Sequence, residues 1–247
     1  MGSRPHPAGE VDWATIDTIV QWSRGATHAA ITLRCVIEQE EMETAMFTRG
    51  FQSRRTPSES KRLPPGQHLT SDFPVLSAGA TPHTPLHVWT FALEAEDGTN
   101  IASWSWDEFR ALGATEITVD IHCVTRWSKF DTDWRGVSLE RLFAAAGLED
   151  PPSPFVTAFC DGGYTTNLPV EDLLEGKALV VWEYDGEPLA PEHGGPARLL
   201  VPHLYFWKSA KWIRGLRFME DNEPGFWEVN GYHSYGDPWR EQRYDGD

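Results

Sequence analysis

Residues 117–128 read Ile-Thr-Val-Asp-Ile-His-Cys-Val-Thr-Arg-Trp-Ser, and the rest of the chain is interpreted outward from this stretch. Apolar side chains alternate with polar ones from Ile117 to Cys123, and this period of two predicts a strand with one apolar face. The polar and aromatic residues after Val124 predict a loop. The pattern therefore places Cys123 at the end of a strand, where a loop begins.

The position of Cys123 suggests a reactive or metal-binding thiol. His122 precedes it and Arg126 follows closely, and a basic neighbourhood lowers the pKa of a thiol. The thiolate is the form that binds metals or attacks electrophiles. The alternative for this segment is a buried structural cysteine, because free Cys is among the most buried residue types.

The length, net charge and composition limit the classes of protein to which this chain can belong. The 247 residues suit one large domain or two small ones. A formal net charge of −16, with a pI near 4.9, argues against general nucleic-acid binding and against an anionic membrane surface. Twelve tryptophans are typical of a chain that lines a large cleft, or of a core rich in Trp.

The cysteines and the apolar runs indicate a compartment. Three cysteines, at positions 35, 123 and 160, are too few and too widely spaced for a disulfide framework or a zinc knuckle. This usage favours a reducing compartment, and we expect a cytoplasmic protein. No apolar run approaches the roughly 20 residues that a membrane span needs, and the N-terminus lacks the apolar region of a signal peptide.

The N-terminal part of the chain reads differently from the rest. Residues 1–45 show no clear caps or partner elements, so we interpret them as a poorly anchored extension, or as sequence upstream of a true start at Met46. Residues 46–72 are polar, basic and Pro-containing, which predicts an extended arm. The main domain should then comprise residues 73–247.

The main domain is predicted to be α+β, with many short strands and a few short helices. Alternation predicts a strand over residues 87–93, and the Asp185-Gly186 pair predicts a tight hairpin. Serine caps and terminal glycines predict helices over residues 106–112 and after Ser138. Further strands are predicted over residues 155–160, 179–182, 197–201 and 212–218.

A basic window interrupts this acidic chain. Residues 193–219 contain no Asp or Glu, although about four would be expected at the average composition. Such a reversal of charge predicts a site for a phosphorylated or otherwise anionic ligand. The alternative is a solvated basic patch that pairs with the acidic surface. The cationic or titratable side chains of the window are His193, Arg198, His203, Lys208, Lys211, Arg214 and Arg217.

The surroundings of the basic window refine this interpretation. Gly194 and Gly195 would let the backbone approach a ligand closely. No G-x-G-x-x-G motif or Walker loop is present, so the ordinary modes of dinucleotide and NTP binding are disfavoured. His83 lies in a loop held by Pro and Gly, which can line a ligand site, and a solvent-exposed histidine is the alternative there.

Three motifs occur in a recognisable order. They are His122-Cys123-Val124-Thr125-Arg126-Trp127-Ser128, His193-Gly194-Gly195-Pro196-Ala197-Arg198 and Lys208-Ser209-Ala210-Lys211-Trp212. Each motif alone is weak, but the ordered set is specific and resembles the sulfite oxidase family of molybdopterin enzymes over roughly residues 72–235. The pattern is closer to the bacterial methionine-sulfoxide reductase catalytic subunit than to the animal sulfite oxidases.

The resemblance implies a mononuclear molybdenum held by one pterin dithiolene and by the thiolate of Cys123. A soft thiolate suits a sulfur-rich metal centre of this kind. The resemblance also implies protein contacts to the pterin and to its phosphate, with His83 and His122 as weaker candidates than the others. The cofactor-binding candidates are His83, His122, Cys123, His193, Arg198, Lys208, Ser209 and Lys211.

The same resemblance implies the residues around the substrate. The family has an active-site tyrosine a few residues after a Trp, and here Tyr232 follows Trp227 in that way. Tyr232 is therefore the candidate donor beside the metal, and a surface tyrosine in a loop is the alternative. Together with Trp127 and Trp134, Tyr232 would shape the approach of a small-molecule substrate.

The chain departs from the family pattern at two points. Animal sulfite oxidases have an arginine pair after the metal cysteine that helps to bind sulfite, and here those positions hold Trp127 and Ser128. The resemblance therefore implies oxygen-atom transfer on a small S- or N-oxide-type substrate, with sulfite oxidation as the alternative. No dimerisation domain or haem domain is recognisable, so we expect a monomer that exchanges electrons with a separate partner.

Two other classes of function stay open from the sequence. A cysteine hydrolase needs a histidine base beside Cys123, but adjacent residues of a strand point to opposite faces, which directs His122 away from the thiol. A protein that binds or carries the molybdenum cofactor without turnover would have the same motifs. Metal content and turnover separate these classes from an oxidoreductase.

Overall fold

The computed structural model describes residues 61–247, which lie within a unit that spans residues 55–247. The predicted extension over residues 1–45 and the first part of the predicted arm, residues 46–60, lie outside the described residues. The described end of the arm, residues 61–72, contains a short strand, His68–Leu69. The division of the chain into extension, arm and main domain stays a prediction.

Eleven strands and three short α-helices make up the described part of the chain. The helices are Trp106–Ala111 (α1), Leu139–Ala145 (α2) and Phe226–Val229 (α3). The strands are His68–Leu69 (β1), Thr90–Glu94 (β2), Asn100–Ser105 (β3), Thr115–His122 (β4), Trp127–Ser138 (β5), Phe155–Cys160 (β6), Thr165–Pro169 (β7), Leu179–Tyr184 (β8), Glu187–Pro188 (β9), Arg198–Leu200 (β10) and Ile213–Met219 (β11).

The strands form two mixed sheets, and the prediction of an α+β fold is confirmed. One sheet has the order β3-β2-β11-β6-β7, and its β2–β11 pair is parallel. The other follows the path β1-β5-β8-β10, with β4 paired to β5 and β9 paired to β8. The long strand β5 joins this second sheet together, because it pairs with β1, β4 and β8.

Strand β5 corrects one prediction from the sequence. The predicted loop is limited to the four residues 123–126 between β4 and β5, and the chain re-enters the sheet at Trp127. There β5 runs antiparallel to β4, with Ile117 opposite Trp134 and His122 opposite Ser128. The strand alternates irregularly between apolar and polar residues, so its pairing with β4 and β8 determines it more than its own pattern does.

Local chemistry explains the elements that the sequence predicts well. At the start of α1, the carboxylate of Glu108 accepts hydrogen bonds from the backbone N and from Oγ of Ser105, which forms a capping box. In the β8–β9 hairpin, Asp185 and Gly186 have φ angles of 49° and 79°, the pair of positive values that a type I′ turn needs. Both predictions are confirmed.

The sheet that contains β5 separates two hydrophobic clusters. Along β8, Val180 and Trp182 belong to the larger cluster, whereas Leu179 and Val181 belong to the smaller one, which also contains Cys123. The alternation follows from the period of two in a strand. On β10, Leu200 packs in the smaller cluster. Arg198, two residues earlier, therefore lies on the same face of the sheet as that cluster.

No helix within residues 61–247 combines the length and the hydrophobicity that crossing a bilayer requires.

Candidate active site around Cys123

A tight turn presents Cys123 directly after β4. The backbone N of Cys123 donates to the carbonyl of Trp127 at 2.9 Å, and the carbonyl of Cys123 accepts from the N of Arg126 at 3.0 Å. Arg126 has a φ of 73°, a left-handed conformation that is strained for a residue with a Cβ. Two backbone hydrogen bonds therefore close the turn, and Arg126 within it has a backbone conformation that arginine rarely adopts.

The thiol of Cys123 is buried and has one close polar neighbour. Its side chain is only 7% exposed, and Oγ1 of Thr125 lies 3.1 Å from Sγ. Burial raises the pKa of the Cys123 thiol, and the hydrogen bond from Thr125 and the charge of Arg198 oppose that increase. The prediction that His122 and Arg126 lower the thiol pKa is wrong, because burial dominates and neither of them is the opposing cation.

The imidazole of His122 faces away from the thiol. Its Nδ1 lies 2.8 Å from Oγ of Ser128, and burial lowers the pKa of His122 to about 4, so the ring is neutral at physiological pH. Within residues 61–247, Thr125 is the only residue whose side chain forms a hydrogen bond with the Cys123 sulfur. A cysteine–histidine pair for hydrolysis is therefore not formed by His122.

Arg198 is buried on the face of β10 that it shares with Leu200, next to the Cys123 cluster. It is 2% exposed, and its guanidinium carbon lies 4.0 Å from the ring centroid of Phe206 and 5.8 Å from that of Trp134. Its two terminal nitrogens donate to the backbone carbonyls of His193 and Ser209, at 2.8 and 2.5 Å. These contacts fix the guanidinium but do not neutralise it.

The charge of Arg198 is uncompensated within the described chain. No carboxylate in residues 61–247 forms an ion pair with it, and its buried Nε has no hydrogen-bond partner there. Burial lowers the pKa of Arg198 to about 9, while the ionisable groups of Tyr164, Cys160 and Cys123 oppose the shift. A buried cation without a counter-ion is unfavourable, so the site is suited to an anion that the polypeptide does not supply.

His193 and Lys211 lie near Arg198. Burial lowers the pKa of His193, and the charges of Arg198 and Lys211 lower it further. Burial, then Arg198, lowers the pKa of Lys211 to about 8. The ammonium of Lys211 donates to the carbonyls of Leu76 and Glu192 at 2.7 and 3.0 Å, and both acceptors are neutral backbone groups. Three cations or potential cations of the predicted window are thus brought together.

Ser209 connects two of the predicted motifs. Its Oγ accepts a hydrogen bond from the backbone N of Val201 at 2.9 Å, and its carbonyl accepts from Arg198. The residue is 1% exposed. Ser209 therefore holds β10 and the guanidinium of Arg198 in place, and its predicted contact with a cofactor stays a prediction.

Lys208 has an internal position that the sequence did not indicate. Its ammonium lies 2.6 Å from Oε1 of Glu228, and it also donates to the carbonyl and the Oδ1 of Asn167 and to the carbonyl of Ser234. The residue is completely buried. With four acceptors around one ammonium group, Lys208 has its donors occupied by the protein, and its predicted cofactor contact stays untested.

The rest of the basic window is dispersed over the surface. Arg214 pairs with Asp161 at 3.3 Å, Arg217 with Glu94 at 2.7 Å, and His203 contacts Asp172 at 3.1 Å. These three side chains are not among the predicted cofactor contacts, so the predicted anion site within residues 193–219 stays a prediction. The alternative of pairing with acidic residues describes these three side chains correctly, whereas His193, Arg198 and Lys211 remain without a carboxylate ion pair in the described residues.

Aromatic side chains pack densely beside the thiol. Trp127 and Trp134 are 3% and 2% exposed, and both rings meet Phe73 edge-on with centroids 6.3 and 6.1 Å apart. Phe73 also stacks on His193 at 3.9 Å. The indole nitrogen of Trp134 donates to Thr132, whereas that of Trp127 is buried without a hydrogen-bond partner in the described residues. Both tryptophans are thus buried in the hydrophobic cluster that contains Cys123.

Tyr232 packs against the same cluster from the C-terminal side. Its ring stacks on Trp227 with centroids 4.8 Å apart and meets Trp207 edge-on at 5.1 Å. The backbone N of Tyr232 donates to the carbonyl of Trp227 at 3.0 Å, which turns the chain after α3. Tyr232 is therefore half-buried against this cluster, and its role as a donor stays a prediction.

His83 is exposed and lies on a loop next to the β6–β7 turn. Its neighbour Thr84 donates to Oδ2 of Asp161 at 2.6 Å. The solvent-exposed alternative describes His83 correctly in this structure, and its predicted contact with a cofactor stays untested.

Several residues of the site were missed by sequence reasoning. Thr125 contacts the Cys123 sulfur, and its position two residues after the cysteine is a spacing at which hydroxyls often contact a preceding residue. Phe73 and Phe206 surround His193 and Arg198 but lie in loops without periodicity. Gln67 donates to the carbonyl of Cys123 from a distant segment, which no local pattern predicts.

The donor set fits a metal that brings ligands of its own. No group of three or more His, Cys, Asp or Glu side chains in residues 61–247 could hold a metal ion alone. Cys123 offers one soft sulfur donor, and Arg198 offers a buried cation with an unpartnered N–H. A sulfur-rich metal with an anionic organic ligand would use both features.

Comparison with known families decides the assignment. The family described as "Oxidoreductase molybdopterin binding domain" matches residues 78–227, a range that includes the Cys123 turn and Arg198. The chain belongs to this family. This is the sulfite oxidase family that the ordered motifs resemble, so the resemblance is confirmed.

Relatives of this molybdopterin-binding domain support the assignment. The chain is 42% identical over 201 residues to "Uncharacterized oxidoreductase YuiH" of Bacillus subtilis, which covers 80% of this chain and 99% of that protein. It is 28% identical over 134 residues to YedZ1 of Azospira oryzae, named as a candidate protein-methionine-sulfoxide reductase subunit, with coverage of 54% and 50%. The family and its relatives are oxidoreductases, which supports an enzyme.

A solved structure shares the fold. The sulfane dehydrogenase SoxCD from Paracoccus pantotrophus matches with a TM-score of 0.51 and 16% sequence identity, over 71% of this chain and 55% of that one. At this identity the similarity concerns the fold alone. This chain thus spans little more than half the length of the SoxCD chain.

Proposed function

We propose that this protein is a molybdenum–molybdopterin oxidoreductase that catalyses oxygen-atom transfer on a small S- or N-oxide-type substrate. One observation carries the proposal: the buried Arg198 lacks a counter-ion in the described chain, and its charge opposes the rise that burial causes in the pKa of the Cys123 thiol. Both residues lie within the part of the chain that matches the molybdopterin-binding family. An anionic, sulfur-rich cofactor would provide the missing negative charge and the metal.

The residues that would hold the cofactor follow from their donors. Cys123 would provide the protein sulfur ligand, and Thr125 would hold that sulfur through its hydroxyl. Arg198 would direct its free Nε to an acceptor of the cofactor, and Lys211 would add a cation at the edge of the site. When bound, this group supplies a metal that changes its oxidation state by two electrons and exchanges an oxygen atom.

The remaining side chains would bind and orient the substrate. Trp127 and Trp134 would limit the access of water to the thiol, because both are almost fully buried in the cluster that contains Cys123. Tyr232 is held between Trp227 and Trp207, so its hydroxyl can donate a proton or a hydrogen bond from a fixed direction. His83, His122, Lys208 and Ser209 have no assigned contact in this proposal, because their surroundings in the structure do not direct a free donor to the site.

Two features favour an oxide over sulfite. The positions that hold the sulfite-binding arginines in animal enzymes are occupied by the buried Trp127 and Ser128, so they offer no cation to a dianion. The relative YedZ1 is named for a reductase of methionine sulfoxide, which is an S-oxide. Electrons would come from a separate carrier. A cytoplasmic location and a monomeric state remain predictions from the sequence.

The proposal is tested by metal content and turnover in a host that makes molybdopterin. The purified protein should contain about one molybdenum per chain and should reduce methionine sulfoxide, dimethyl sulfoxide or trimethylamine N-oxide with a reduced viologen. Cys123→Ala should lose both properties. Cys160→Ala, which changes the other described buried cysteine, is the matched control and should keep them.

Other results would favour the other classes of function. Bound molybdopterin without turnover of any oxide or of sulfite would favour a cofactor carrier. Turnover of sulfite alone, with ferricyanide as acceptor, would favour a sulfite-oxidising enzyme. A metal-free protein with Cys123-dependent esterase activity would contradict the proposal.

A further inference from the structure

A short segment before the family-matching region contacts the Cys123 turn. The family matches residues 78–227, but β1, at residues 68 and 69, pairs in parallel with the first two residues of β5. The backbone N of His68 donates to the carbonyl of Arg126 at 2.8 Å, and that of Thr70 donates to the carbonyl of Ser128 at 2.9 Å. The turn that presents the thiol is thus bound along one side by residues of the predicted arm.

Gln67 adds a side-chain contact to the cysteine itself. Its Nε2 donates to the carbonyl oxygen of Cys123 at 3.0 Å, and its Oε1 lies 3.5 Å from Oγ of Ser128. The residue is only 3% exposed. A buried amide is held where its hydrogen bonds are made, because leaving either partner unsatisfied is unfavourable. The position of Gln67 and that of the Cys123 peptide are therefore coupled.

The geometry of the turn explains why an external contact matters. Within the turn, the carbonyl of Cys123 accepts only from the N of Arg126, and Arg126 is the residue with the left-handed φ of 73°. A strained residue stays in that conformation only when its surroundings hold it. Gln67 and the β1 backbone supply bonds from outside the turn, at Cys123 and at Arg126 respectively.

The segment that carries Gln67 is itself anchored. The backbone N of Gln67 donates to the carbonyl of Pro64 at 3.3 Å, and Nη2 of Arg243 donates to the carbonyl of Pro65 at 3.2 Å. The guanidinium of Arg243 also lies 5.3 Å from the ring centroid of Tyr205, a member of the Cys123 cluster. Residues near both ends of the described chain thus converge on the cluster that contains Cys123.

We infer that Gln67 is a positioning residue, which orients the Cys123 peptide and thereby the direction of its sulfur. This inference rests on the proposed function, in which the sulfur binds the metal. Gln67 would not touch substrate or cofactor. Its loss should let the turn relax, expose the thiol more often in the cofactor-free protein, and change the metal–sulfur geometry in the loaded protein.

The test compares Gln67→Met, which keeps the length but removes the amide, with Gln242→Met. Gln242 also uses its side-chain amide to bond a backbone group, because its Oε1 accepts from the N of Asp237, and no hydrogen bond within residues 61–247 joins its side chain to the Cys123 turn. In the cofactor-free protein, we expect iodoacetamide to modify Cys123 about fivefold faster in Gln67→Met, as the loss of one buried hydrogen bond implies. Site-resolved mass spectrometry should find Cys160 unchanged.

A second readout uses the loaded protein. Gln67→Met should retain about one molybdenum per chain, but its Mo(V) electron paramagnetic resonance spectrum should show shifted g values, which report the metal–sulfur geometry. If Gln67→Met does not fold, Gln67→Asn keeps the amide but shortens the side chain, and the same two shifts are expected.

The outcomes separate this inference from the proposed function. An unchanged alkylation rate together with an unchanged spectrum, in whichever variant folds, would overturn the role of Gln67 while leaving the metal site intact. Full molybdenum content in Cys123→Ala would overturn the proposed function instead, and the alkylation rate would still decide whether Gln67 holds the turn. Equal acceleration in Gln242→Met would also contradict the inference.

Discussion

The ammonium of Lys208 lies 2.6 Å from Oε1 of Glu228, and the two side chains are 1% and 2% exposed. Glu228 Oε1 also accepts from the indole nitrogen of Trp207 at 2.9 Å and from the hydroxyl of Thr166 at 3.2 Å. Burial lowers the pKa of Lys208, and the negative charge of Glu228 opposes that shift. The pair is therefore an internal ion pair that joins α3 to the segment after β10.

Breaking this pair should destabilise the fold. Lys208→Met leaves the Glu228 carboxylate buried without its cation, and a broken buried pair costs about 3–5 kcal/mol. The free energy of unfolding, measured by urea denaturation, should fall by that amount. Lys177→Met removes an exposed pair with Glu175 at 3.3 Å and should change it by less than about 1 kcal/mol.

The same experiment decides the sequence prediction for Lys208. If Lys208→Met unfolds at the same urea concentration as the parent protein but contains much less molybdenum, then Lys208 contacts the cofactor and its internal role is wrong. A large loss of stability in the cofactor-free protein supports the internal ion pair.

Arg198 should show the opposite combination of effects. In the cofactor-free protein its buried charge has no described counter-ion, so Arg198→Met should reduce the free energy of unfolding by less than Lys208→Met does, because removal of that charge offsets the loss of the hydrogen bonds to the carbonyls of His193 and Ser209. The molybdenum content of the purified protein should fall severely. Arg217→Met, which removes a surface pair with Glu94, should leave the metal content unchanged.

One outcome would contradict the prediction for Arg198. A strongly destabilised Arg198→Met protein with a normal molybdenum content would mean that the guanidinium serves the fold and not the cofactor.

Lys211 should make cofactor retention depend on pH. Burial, then the charge of Arg198, lowers the pKa of Lys211 to about 8, below the ordinary value, so its cation is present below that pH and is lost above it. If the cation binds an anionic group, the pterin retained after gel filtration should decrease between pH 7 and pH 9. Fluorescence of the oxidised pterin measures the retained fraction.

A matched substitution checks the cause. Lys211→Arg carries a guanidinium that stays charged at pH 9, so its retention should no longer decrease. The same decrease in the parent protein and in Lys211→Arg would assign the pH dependence to another group.

Tyr232 is predicted to act through its hydroxyl. Tyr232→Phe keeps the ring that stacks on Trp227 and should leave the free energy of unfolding within about 1 kcal/mol of the parent value. If the hydroxyl donates to the reacting substrate, kcat/KM should fall by about 100-fold. Tyr244→Phe changes the exposed tyrosine whose ring meets Tyr232 edge-on at 5.7 Å, and it should retain activity within about twofold.

The elements that follow from local chemistry were predictable. The capping box at Ser105, the hairpin at Asp185-Gly186 and the strand with Phe91 and Leu93 inside each depend on residues that are close in sequence. That strand begins at Thr90, because residues 87 and 88 of the predicted range 87–93 belong to a short 3-10 helix, Leu86–Val88, instead. Strand β5 was missed because its order comes from pairing with β4 and β8, and its own residues do not alternate regularly.

The site could be predicted only where the motif itself was informative. The local pattern indicated Cys123, the basic window indicated Arg198, and the resemblance to a family joined the two in one site. In the structure, the charge of Arg198 acts on the Cys123 thiol. Other cations of the window form ion pairs with acids far away in sequence, as Lys208 does with Glu228 and Arg217 with Glu94. The sequence of residues 193–219 alone does not indicate these partners.

The most direct test of the central claim is X-ray absorption at the molybdenum edge of the purified protein, compared with Cys123→Ser. The account predicts three sulfur neighbours of molybdenum in the parent protein, two from the pterin dithiolene and one from Cys123, and a loss of one in the variant. The same number of sulfur neighbours in both proteins would contradict it.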